Sequence, residues 1–211
     1  MTESQTAGMA MSNHPVVTMK LASTSDELMQ CYMLRAAVYM GEQHCPYWEE
    51  YDGNDYTASH IIVYVDGEPA ASLRVRWFAT FIKLERAVVL KRYRSMGLFR
   101  LFLPLLRWAI ELGRKKGYTK AYLHGQRRLW PIFERGGFYK VDVKAFHFSD
   151  HEYGAYACDI EVDDKTRPTV ITDPMVLNRP EDRLDMPGIL EQSMDRGASN
   201  PHAEWTERRA N

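Results

Sequence analysis

The stretch LERAVVLKRYRSMGLFRLF, residues 84–102, decides the fold, because a strand-like run passes through a basic, glycine-containing turn directly into an apolar helix. Residues 81–90 are mostly apolar and β-branched, which predicts a strand. Residues 97–116 repeat apolar side chains at helical spacing and end in basic residues before a glycine, which predicts a helix. Residues 119–124 predict another strand, so we expect one β–α–β crossover between parallel strands here.

The segments around this crossover predict a mixed α/β sheet. Pro104 lies inside the expected helix and removes a backbone donor, which predicts a kink. The other expected elements are a strand at 16–22, a helix from about 26 to 40, strands at 59–65 and 69–78 joined by a turn at Asp66-Gly67, a short helix at 127–135, and a closing antiparallel pair at 138–148 and 153–162.

The two ends of the chain differ in composition from the part between them. Residues 1–15 are small, polar and unpatterned, and we expect a disordered leader. Residues 164–211 hold five of the ten prolines, which predicts an extension that buries little surface by itself. Its short apolar islands suit contact with the domain or with a second subunit, so a homodimer stays open. The expected folded domain is residues 16–163.

Composition restricts the class of protein. The 211 residues include 27 Lys and Arg against 28 Asp and Glu, and this balance argues against a nucleic-acid-binding protein. Three scattered cysteines without a CxxC pair predict neither a disulfide framework nor a metal site. The sequence has no apolar run of about 20 residues and no signal-peptide pattern, so we expect a cytoplasmic protein that does not bind a membrane.

The turn within residues 84–102 favours the binding of an anion. The first N–H groups of a helix have no partner within the helix, and the helix dipole adds positive charge at that end. Gly97 lets a ligand approach the backbone closely. Residues 74–100 carry eight cationic side chains and the single anion Glu85. The alternative is a basic loop that only keeps the start of a helix solvated.

Several separated motifs resemble the GNAT superfamily of acyl-CoA-dependent N-acyltransferases, over about residues 16–163. The family's phosphate loop reads Arg/Gln-x-x-Gly-x-Gly/Ala, and residues 94–99 match its arginine and first glycine but end in Phe99. The sequence is most similar to the ElaA-like branch, through Arg35-x-x-Val38-Tyr39-x-x-Glu42-Gln43, Cys45-Pro46-Tyr47-x-Glu49, Asp52-Gly53-Asn54-Asp55 and Trp130-Pro131-Ile132-Phe133-Glu134-Arg135-Gly136-Gly137-Phe138.

The resemblance implies a six- to seven-stranded, mostly antiparallel sheet with about four helices, whose central parallel pair separates to hold acetyl-CoA or another acyl-CoA. The main chain of Ala87, Val88 and Val89 would pair with the pantetheine arm, and a backbone N–H would polarise the thioester carbonyl. The bulky Phe99 must turn away from the cofactor or line an acyl pocket. The phosphate loop implied by the resemblance consists of Arg94, Ser95, Met96, Gly97, Leu98, Phe99 and Arg100.

Acyl transfer to an amine needs a group that removes a proton and is helped by one that protonates the thiolate. Glu85 stands where a glutamate acts as base in many family members; a salt bridge to a neighbouring arginine is the alternative. His124 is the second candidate base because an imidazole titrates near neutrality, and a packed histidine is its alternative. Phe133, expected in the cofactor site, replaces the family's tyrosine acid. The thiolate therefore leaves unassisted or takes a proton from Tyr122 or Tyr139.

The acceptor is expected beside the acidic segment that precedes the basic strand. Residues 36–73 hold seven acidic residues and no Lys or Arg, which favours an acceptor that bears amines; a solvated loop is the alternative. Arg74 and Arg76 share one face of a strand, where they could hold a carboxylate of the acceptor or an acidic patch of a partner. The candidate acceptor-binding residues are Arg35, Glu49, Asp52, Arg74 and Arg76.

The first hypothesis is therefore transfer of an acetyl group from acetyl-CoA to a primary amine of a small molecule or peptide, by direct attack in a ternary complex. A second is a long-chain N-acyltransferase that uses acyl-CoA or an acyl carrier protein, as N-acyl amino acid synthases do. A third is a non-catalytic module that senses acyl-CoA and binds a partner, for which Phe133 and Pro104 are the reasons.

Overall fold

The computed structural model describes residues 14–96, 100–148, 150–162, 178–183 and 186–194. The chain divides into two compact units, Met1–Arg167 and Pro168–Asn211. None of the helices within the described ranges is long and apolar enough to span a bilayer.

The first unit is built on a seven-stranded sheet. Its strands are β1 Val17–Leu21, β2 Ser59–Val65, β3 Glu68–Trp77, β4 Ile82–Val89, β5 Lys120–Gln126, β6 Tyr139–Phe148 and β7 His151–Asp159. They lie in the order β1-β2-β3-β4-β5-β7-β6, and all neighbours are antiparallel except β4 and β5. The predicted mixed α/β fold with one central parallel pair is therefore confirmed.

The described part of the chain contains six α-helices, where about four were predicted. Three of them, α2, α3 and α6, have only four residues and so show no periodicity that sequence could reveal. A π-helical segment at Ala36–Glu42 and a 3₁₀ turn at Arg127–Leu129 complete the set. The helices are α1 Ser25–Arg35, α2 Tyr47–Glu50, α3 Lys91–Arg94, α4 Phe102–Lys115, α5 Trp130–Arg135 and α6 Ile189–Gln192.

Helix α1 begins at a capping box. The Thr24 hydroxyl accepts a hydrogen bond from the N–H of Glu27, and the Glu27 carboxylate accepts one from the N–H of Thr24. The predicted stop at Gly41 is passed by one residue, because the π-helical segment continues to Glu42. This segment and α1 cover part of one face of the sheet, through a buried cluster of Cys31, Leu34, Val38, Ile62 and Val88.

Helix α4 packs against the opposite face of the sheet. The kink predicted at Pro104 is not required in this helix. Because the helix begins at Phe102, Pro104 lies in its first turn, where a backbone N–H would have no partner within the helix. The buried face of α4 includes Leu105, Ala109 and Leu112. A Cβ on Gly113 would lie 2.6 Å from Ile82 Cδ1, so the glycine permits close packing of the helix on β4.

Strands β4 and β5 separate soon after they begin. The ladder pairs Ile82 with Ala121, Lys83 with Tyr122 and Leu84 with Leu123, and ends there. On its other edge β4 stays paired with β3 as far as Val89. An extra residue in β4 forms a bulge beside Arg86, whose φ is +52°.

The described residues of the second unit are 178–183 and 186–194. Helix α6 begins after Gly188, whose N–H donates to Glu191 Oε2. Arg179 Nη2 lies 2.6 Å from Glu191 Oε1, which ties residues 178–183 to the helix.

Candidate active site

A cavity of about 840 Å³ opens where β4 and β5 separate. Residues 85–89 of β4 and residues 123–126 of β5 line it from the two strands. Phe102 and Leu106 of α4 and Phe133 of α5 add apolar lining. A concave, mostly apolar space with a few polar groups is typical of a small-molecule or cofactor site.

Glu85 and His124 lie side by side at the point of separation. Each directly follows the last paired residue of its strand, Leu84 or Leu123, and each lines the cavity. Because residues at matching register in neighbouring strands share a sheet face, the structure brings the two candidate bases together. Their catalytic role stays a prediction.

Three cations surround the Glu85 carboxylate. Oε2 accepts hydrogen bonds from Arg74 Nη2 at 2.6 Å and Nε at 3.0 Å. Oε1 lies 2.5 Å from Lys83 Nζ and 3.8 Å from Arg76 Nη1. Burial acts to raise the pKa of Glu85, but the hydrogen bonds and charges of Lys83 and Arg74 outweigh it, so the pKa lies below its ordinary value. The salt bridge expected as the alternative is thus present, and Glu85 is ionised at neutral pH.

His124 is set up differently from Glu85. Burial lowers its pKa, and the charge of Lys83 lowers it further, while Glu85 acts in the opposite direction. Its ring lies 5.0 Å from that of Phe146 in an edge contact. The imidazole is therefore neutral near pH 7 and able to accept a proton.

A buried ion-pair network lies behind Glu85, and Arg35 is one of its centres. Its side chain is 0% exposed. Nε donates to Glu50 Oε1 at 2.5 Å, and Nη1 donates to Asp55 Oδ1 at 2.6 Å. Burial is the largest influence on Glu50 and raises its pKa. Burial also acts to raise the pKa of Asp55. The hydrogen bonds and charges of Arg35 and Arg74 outweigh this effect, so the pKa of Asp55 is lowered.

Arg74 is the second centre and is also 0% exposed. Its Nη1 donates to Asp52 Oδ1 at 2.8 Å and to Asp55 Oδ1 at 2.9 Å, while Nη2 lies 2.7 Å from Asp52 Oδ2. Arg86 closes the network, with Nη2 3.1 Å from Asp52 Oδ2 and Nε 3.1 Å from Glu50 Oε2. Three of the seven acidic residues that were expected to attract an amine acceptor, Glu50, Asp52 and Asp55, are therefore already paired with arginines of this network.

The predicted acceptor-binding residues thus fall into two groups. Arg35, Asp52 and Arg74 belong to the network, and the main-chain carbonyl of Glu49 accepts a hydrogen bond from Arg86 at 2.6 Å. Arg76 stays at its margin, with a side chain 26% exposed and its guanidinium 5.0 Å from the centre of the Phe78 ring. Within the described ranges no group of three or more His, Cys, Asp or Glu side chains is arranged to hold a metal ion.

The phosphate loop is described only in part, because Gly97, Leu98 and Phe99 lie outside the described residues. Arg94 lines the cavity, with Nε 2.9 Å from the carbonyl of Val89 and Nη1 2.7 Å from Glu42 Oε2. Ser95 and Arg100 are exposed, and Met96 is half-buried against the core. Ala87, Val88 and Val89 line the cavity, and their pairing with a pantetheine arm stays a prediction.

Phe133 lines the cavity and is 3% exposed. A Cβ on Gly125 of β5 would lie 2.3 Å from Cε2 and 2.4 Å from Cζ of this ring, so the glycine makes room for it. Phe102 and Tyr156 contact the ring from other sides. The position that the resemblance assigns to the family's tyrosine is therefore occupied by a packed apolar ring.

The hydroxyls near the cavity are not those that the sequence suggested. Tyr122 and Tyr139 are absent from the described lining, and the Tyr139 hydroxyl contacts Lys120 and Asp159 instead. Tyr153 lines the cavity, and its hydroxyl accepts a hydrogen bond from Gln126 Nε2 at 3.4 Å. Burial raises the pKa of Tyr153. No sequence signal identified it, because β7 reaches β5 only through the fold.

A smaller cavity of about 90 Å³ adjoins the first. The two share the lining residues Tyr39, Leu84, Glu85, Arg86, His124 and Tyr153. The smaller cavity adds one cation and two aromatic rings: Lys83, Phe146 and Phe148.

This arrangement agrees with a family assignment from sequence. Residues 22–138 match the family model described as "Acetyltransferase (GNAT) family". The match covers more than half of the chain, and the chain belongs to the GNAT acetyltransferase family. The resemblance to the GNAT family and the predicted class of enzyme, an N-acetyltransferase of that family, are thereby confirmed.

Individual relatives support the assignment. The uncharacterized protein YyaT of Bacillus subtilis (strain 168) is 30% identical over 133 residues, which are 62% of this chain and 87% of YyaT. A solved acyl-CoA N-acyltransferase from Pseudomonas aeruginosa is 25% identical with a TM-score of 0.59, over 69% of this chain and 99% of that one. Escherichia coli ElaA shares the fold, at 22% identity and a TM-score of 0.59, over 68% and 99% of the two chains.

Proposed function

We propose that residues 16–163 form an N-acyltransferase domain that transfers an acetyl group from acetyl-CoA to a primary amine. The observation that supports this most is the separation of β4 from β5 beside Glu85 and His124, which opens a cavity of about 840 Å³. Among the described residues the cavity lining includes no Cys, Ser or Thr. Direct attack of the amine on the thioester is therefore favoured over an acyl-enzyme intermediate.

The cavity suits the pantetheine arm of acetyl-CoA. Because the β4–β5 ladder ends at Leu84 and Leu123, residues 87–89 have no β5 partner on that side, and the amides of the arm can pair with them. Arg94 supplies a cation for a phosphate group, and residues 95–100 complete the proposed phosphate loop. When bound, acetyl-CoA supplies an activated acyl group with a thiolate leaving group.

In the proposed mechanism Glu85 binds the amine in its ammonium form, and His124 removes a proton from it. The ionised Glu85 holds the ammonium form by charge, since Arg74 and Lys83 keep its pKa low. The neutral imidazole of His124 accepts the proton, because its pKa is closer to neutrality than that of a carboxylate. The free amine then attacks the thioester carbon.

Tyr153 is the proposed donor to the departing thiolate. Tyr153 lines both cavities, and its hydroxyl is protonated at neutral pH, since burial raises a pKa that is ordinarily about 10. The CoA thiol has a pKa of about 8.5, below that of the phenol, so Tyr153 stabilises the departing thiolate by donating a hydrogen bond, and the thiolate takes its final proton from solvent. Tyr122, the earlier candidate, is proposed to act at most through its ladder neighbour Lys83.

Release of free thiol from acetyl-CoA, measured with a panel of primary amines, tests this function. We expect His124→Gln to lower kcat/KM by about 100-fold, as removal of a general base does. Glu85→Gln should lower it by about tenfold or more, because it removes the charge that holds the ammonium. The matched control is Glu111→Gln, which removes a carboxylate paired with Arg114 on α4, outside both cavities. Equal rates in all three variants would contradict the proposed site.

A measurement of acetyl-CoA binding distinguishes a protein that binds the cofactor without catalysis from one that does not bind it at all. Acetyl-CoA should raise the melting temperature, because a ligand that binds only the folded state stabilises it by RT ln(1 + [L]/Kd). A shift without thiol release would favour the acyl-CoA-sensing module. No shift at millimolar acetyl-CoA would contradict the cofactor site.

The apolar part of the cavity favours a second candidate donor, a longer acyl-CoA. Leu73, Leu106 and Phe133 line it, and all three belong to the buried core. A chain entering there would lie against core side chains. A higher kcat/KM for octanoyl-CoA than for acetyl-CoA would establish this alternative, and a preference for acetyl-CoA would exclude it.

A further inference from the structure

The sequence suggests that the acidic segment 36–73 gives the acceptor site a negative charge, but near the smaller cavity most of this charge is neutralised by arginines. The acidic residues Glu50, Asp52 and Asp55 pair with Arg35, Arg74 and Arg86. These carboxylates therefore offer little negative charge to an incoming amine. Glu85 is the only carboxylate in the described lining of the smaller cavity.

Two cations, Lys83 and Arg76, lie near the same oxygen of Glu85, Oε1. Lys83 Nζ is 2.5 Å from Glu85 Oε1, and Arg76 Nη1 is 3.8 Å from the same atom. Arg76 makes no hydrogen bond to any described residue, and its other contact is with the face of Phe78. Lys83 and Arg76 are paired across β4 and β3, with side chains 23% and 26% exposed. The guanidinium is thus a reachable donor with unused hydrogen-bonding capacity.

Most of the remaining lining of the smaller cavity is aromatic; Leu84 and Arg86 are the exceptions among the described residues. Phe146 and Phe148 lie on β6, and Arg76 lies on β3. In the order of strands in the sheet, these two strands are on opposite sides of β4, which carries Glu85. His124 contacts Phe146, so the candidate base stands between the charged and aromatic parts. The cavity therefore offers an anion and an apolar surface, and two cations line it. Arg86 is held by Glu50 and Asp52, whereas Lys83 has Arg76 beside it on β3, just outside the lining.

Building on the proposed function, we propose that Lys83 and Arg76 bind a carboxylate of the acceptor, and that the acceptor is a free α-amino acid with an apolar side chain. In such a molecule the ammonium and carboxylate are attached to one carbon. Glu85 and Lys83 present the complementary opposite charges at 2.5 Å from each other. The ammonium lies at Glu85 and His124, the carboxylate at Lys83 and Arg76, and the side chain against Phe146 and Phe148.

The reaction balances with no further reactant. The amine nitrogen bonds to the acyl carbon, the carbon–sulfur bond breaks, and CoA leaves as the thiol. The ammonium loses two protons, of which one reaches the thiolate sulfur by way of solvent and one reaches solvent through His124. The product is an N-acyl amino acid, which bears one more negative charge than the zwitterionic acceptor.

Three compounds with the same side chain test the proposal in the full-length protein: phenylalanine, phenylalaninamide and 2-phenylethylamine. We expect kcat/KM for phenylalanine to exceed that for each of the other two by about tenfold or more, since a charge-assisted hydrogen bond contributes that much. Arg76→Gln and Lys83→Gln should each reduce this ratio towards one. Arg114→Gln, which removes a cation on α4 outside both cavities, should preserve the ratio.

The outcomes distinguish this proposal from the function on which it rests. Equal or faster reaction of phenylalaninamide, which imitates a peptide N-terminus, overturns the carboxylate site but keeps the N-acyltransferase. Faster reaction of 2-phenylethylamine does the same in favour of simple amines. A preference for phenylalanine that Arg76→Gln and Lys83→Gln both leave intact also overturns the assignment of these residues. No thiol release with any of the three, in protein that acetyl-CoA stabilises, overturns the amino-acid acceptor, and no release with the whole panel of primary amines overturns the proposed function as well.

Discussion

Strand β4 has two edges that differ sharply. Towards β3 it is paired from Ile82 with Trp77 to Val89 with Ala71, and the buried network of Arg35 and Arg74 lies on this side. Towards β5 it is paired over three positions only, from Ile82 to Leu84. One edge is thus fixed by hydrogen bonds and ion pairs, and the other has main-chain groups beyond Leu84 that β5 does not pair with, which is the edge that the proposed function gives to acetyl-CoA.

Glu85 belongs to both regions. Its Oε2 faces Arg74 on the β3 side, and its Oε1 faces Lys83, which lines the smaller cavity. The network therefore positions the carboxylate while one oxygen remains at the cavity. Substitutions on the two sides should consequently have different signatures, in stability on the β3 side and in binding or turnover on the β5 side.

The largest effect is expected from Arg74→Leu. It leaves Asp52, Asp55 and Glu85 without their shared partner, and breaking a buried ion pair destabilises a protein by about 3–5 kcal/mol. Chemical denaturation measures the loss in the free energy of unfolding. Arg92→Leu is the control, because Arg92 is 60% exposed and its pair with Glu68 spans 3.9 Å; we expect a change of about 0.5 kcal/mol or less.

A conservative variant keeps this prediction testable if Arg74→Leu does not fold. Arg74→Lys keeps the charge but cannot contact Asp52 through two nitrogens and Glu85 at the same time. It should lie between the wild type and Arg74→Leu. A loss for Arg74→Leu no larger than that for Arg92→Leu would show that the network does not stabilise this edge.

The second effect concerns the open edge. Gly125→Ala places a Cβ 2.3 Å from the Phe133 ring, which must move into the cavity or into the core. Such overpacking destabilises by about 1–3 kcal/mol. It should also weaken the stabilisation by acetyl-CoA, measured as a smaller shift in melting temperature.

Gly41→Ala is the matched control for this prediction. The nearest atom to a Cβ there is the carbonyl oxygen of Ala36 at 3.8 Å, an ordinary contact. Gly41 lies within the π-helical segment, where alanine is tolerated at least as well as glycine. An equal response of the two variants to acetyl-CoA would contradict the role of β5 as a cavity wall.

The difference between the two edges also explains what sequence could predict. The β–α–β crossover was predictable because strand and helix periodicities are local, and Glu85 was identified because it lies in a motif-bearing strand. The network was not, because Arg35 of α1 and Arg74 of β3 meet Glu50, Asp52 and Asp55 only where α1, α2 and the loop after α2 pack beside β3. Tyr153 was missed for the same reason, whereas Pro104 was misjudged because the start of α4 lies further along the chain than its periodicity indicated.

The third effect is a dependence of stability on pH. Asp52, Asp55 and Glu85 have pKa values below their ordinary ones in the folded protein. Between the folded and unfolded values the unfolded chain binds more protons, so this contribution is complete above about pH 5 and is lost as the pH falls through the folded values. Denaturation at several pH values should show the loss, and Glu85→Gln should make the acid limb shallower.

The histidine of the open edge contributes to the same curve in a different range. The pKa of His124 is lowered, so its contribution is present above its ordinary value of about 6.5 and declines as the pH falls below that. His124→Gln should flatten the curve between its folded value and pH 6.5 and leave the region near pH 4 unchanged. An unchanged curve between these limits would contradict an imidazole that is neutral near pH 7.

The smallest effect is expected from Phe133→Tyr, which restores the family's hydroxyl on the open edge. Cζ, the atom that would carry it, is the one that lies 2.4 Å from a Cβ on Gly125, so the hydroxyl would project towards β5. Because Tyr153 already offers a protonated hydroxyl to the cavity, we expect kcat to stay within about threefold of the wild type or to rise. Burying the new group costs about 1 kcal/mol unless it finds a partner. A large loss of kcat with acetyl-CoA binding intact would show that Phe133 does not occupy the position of the family's tyrosine, and that the separation of β4 from β5 presents the thioester at a different depth from the one proposed.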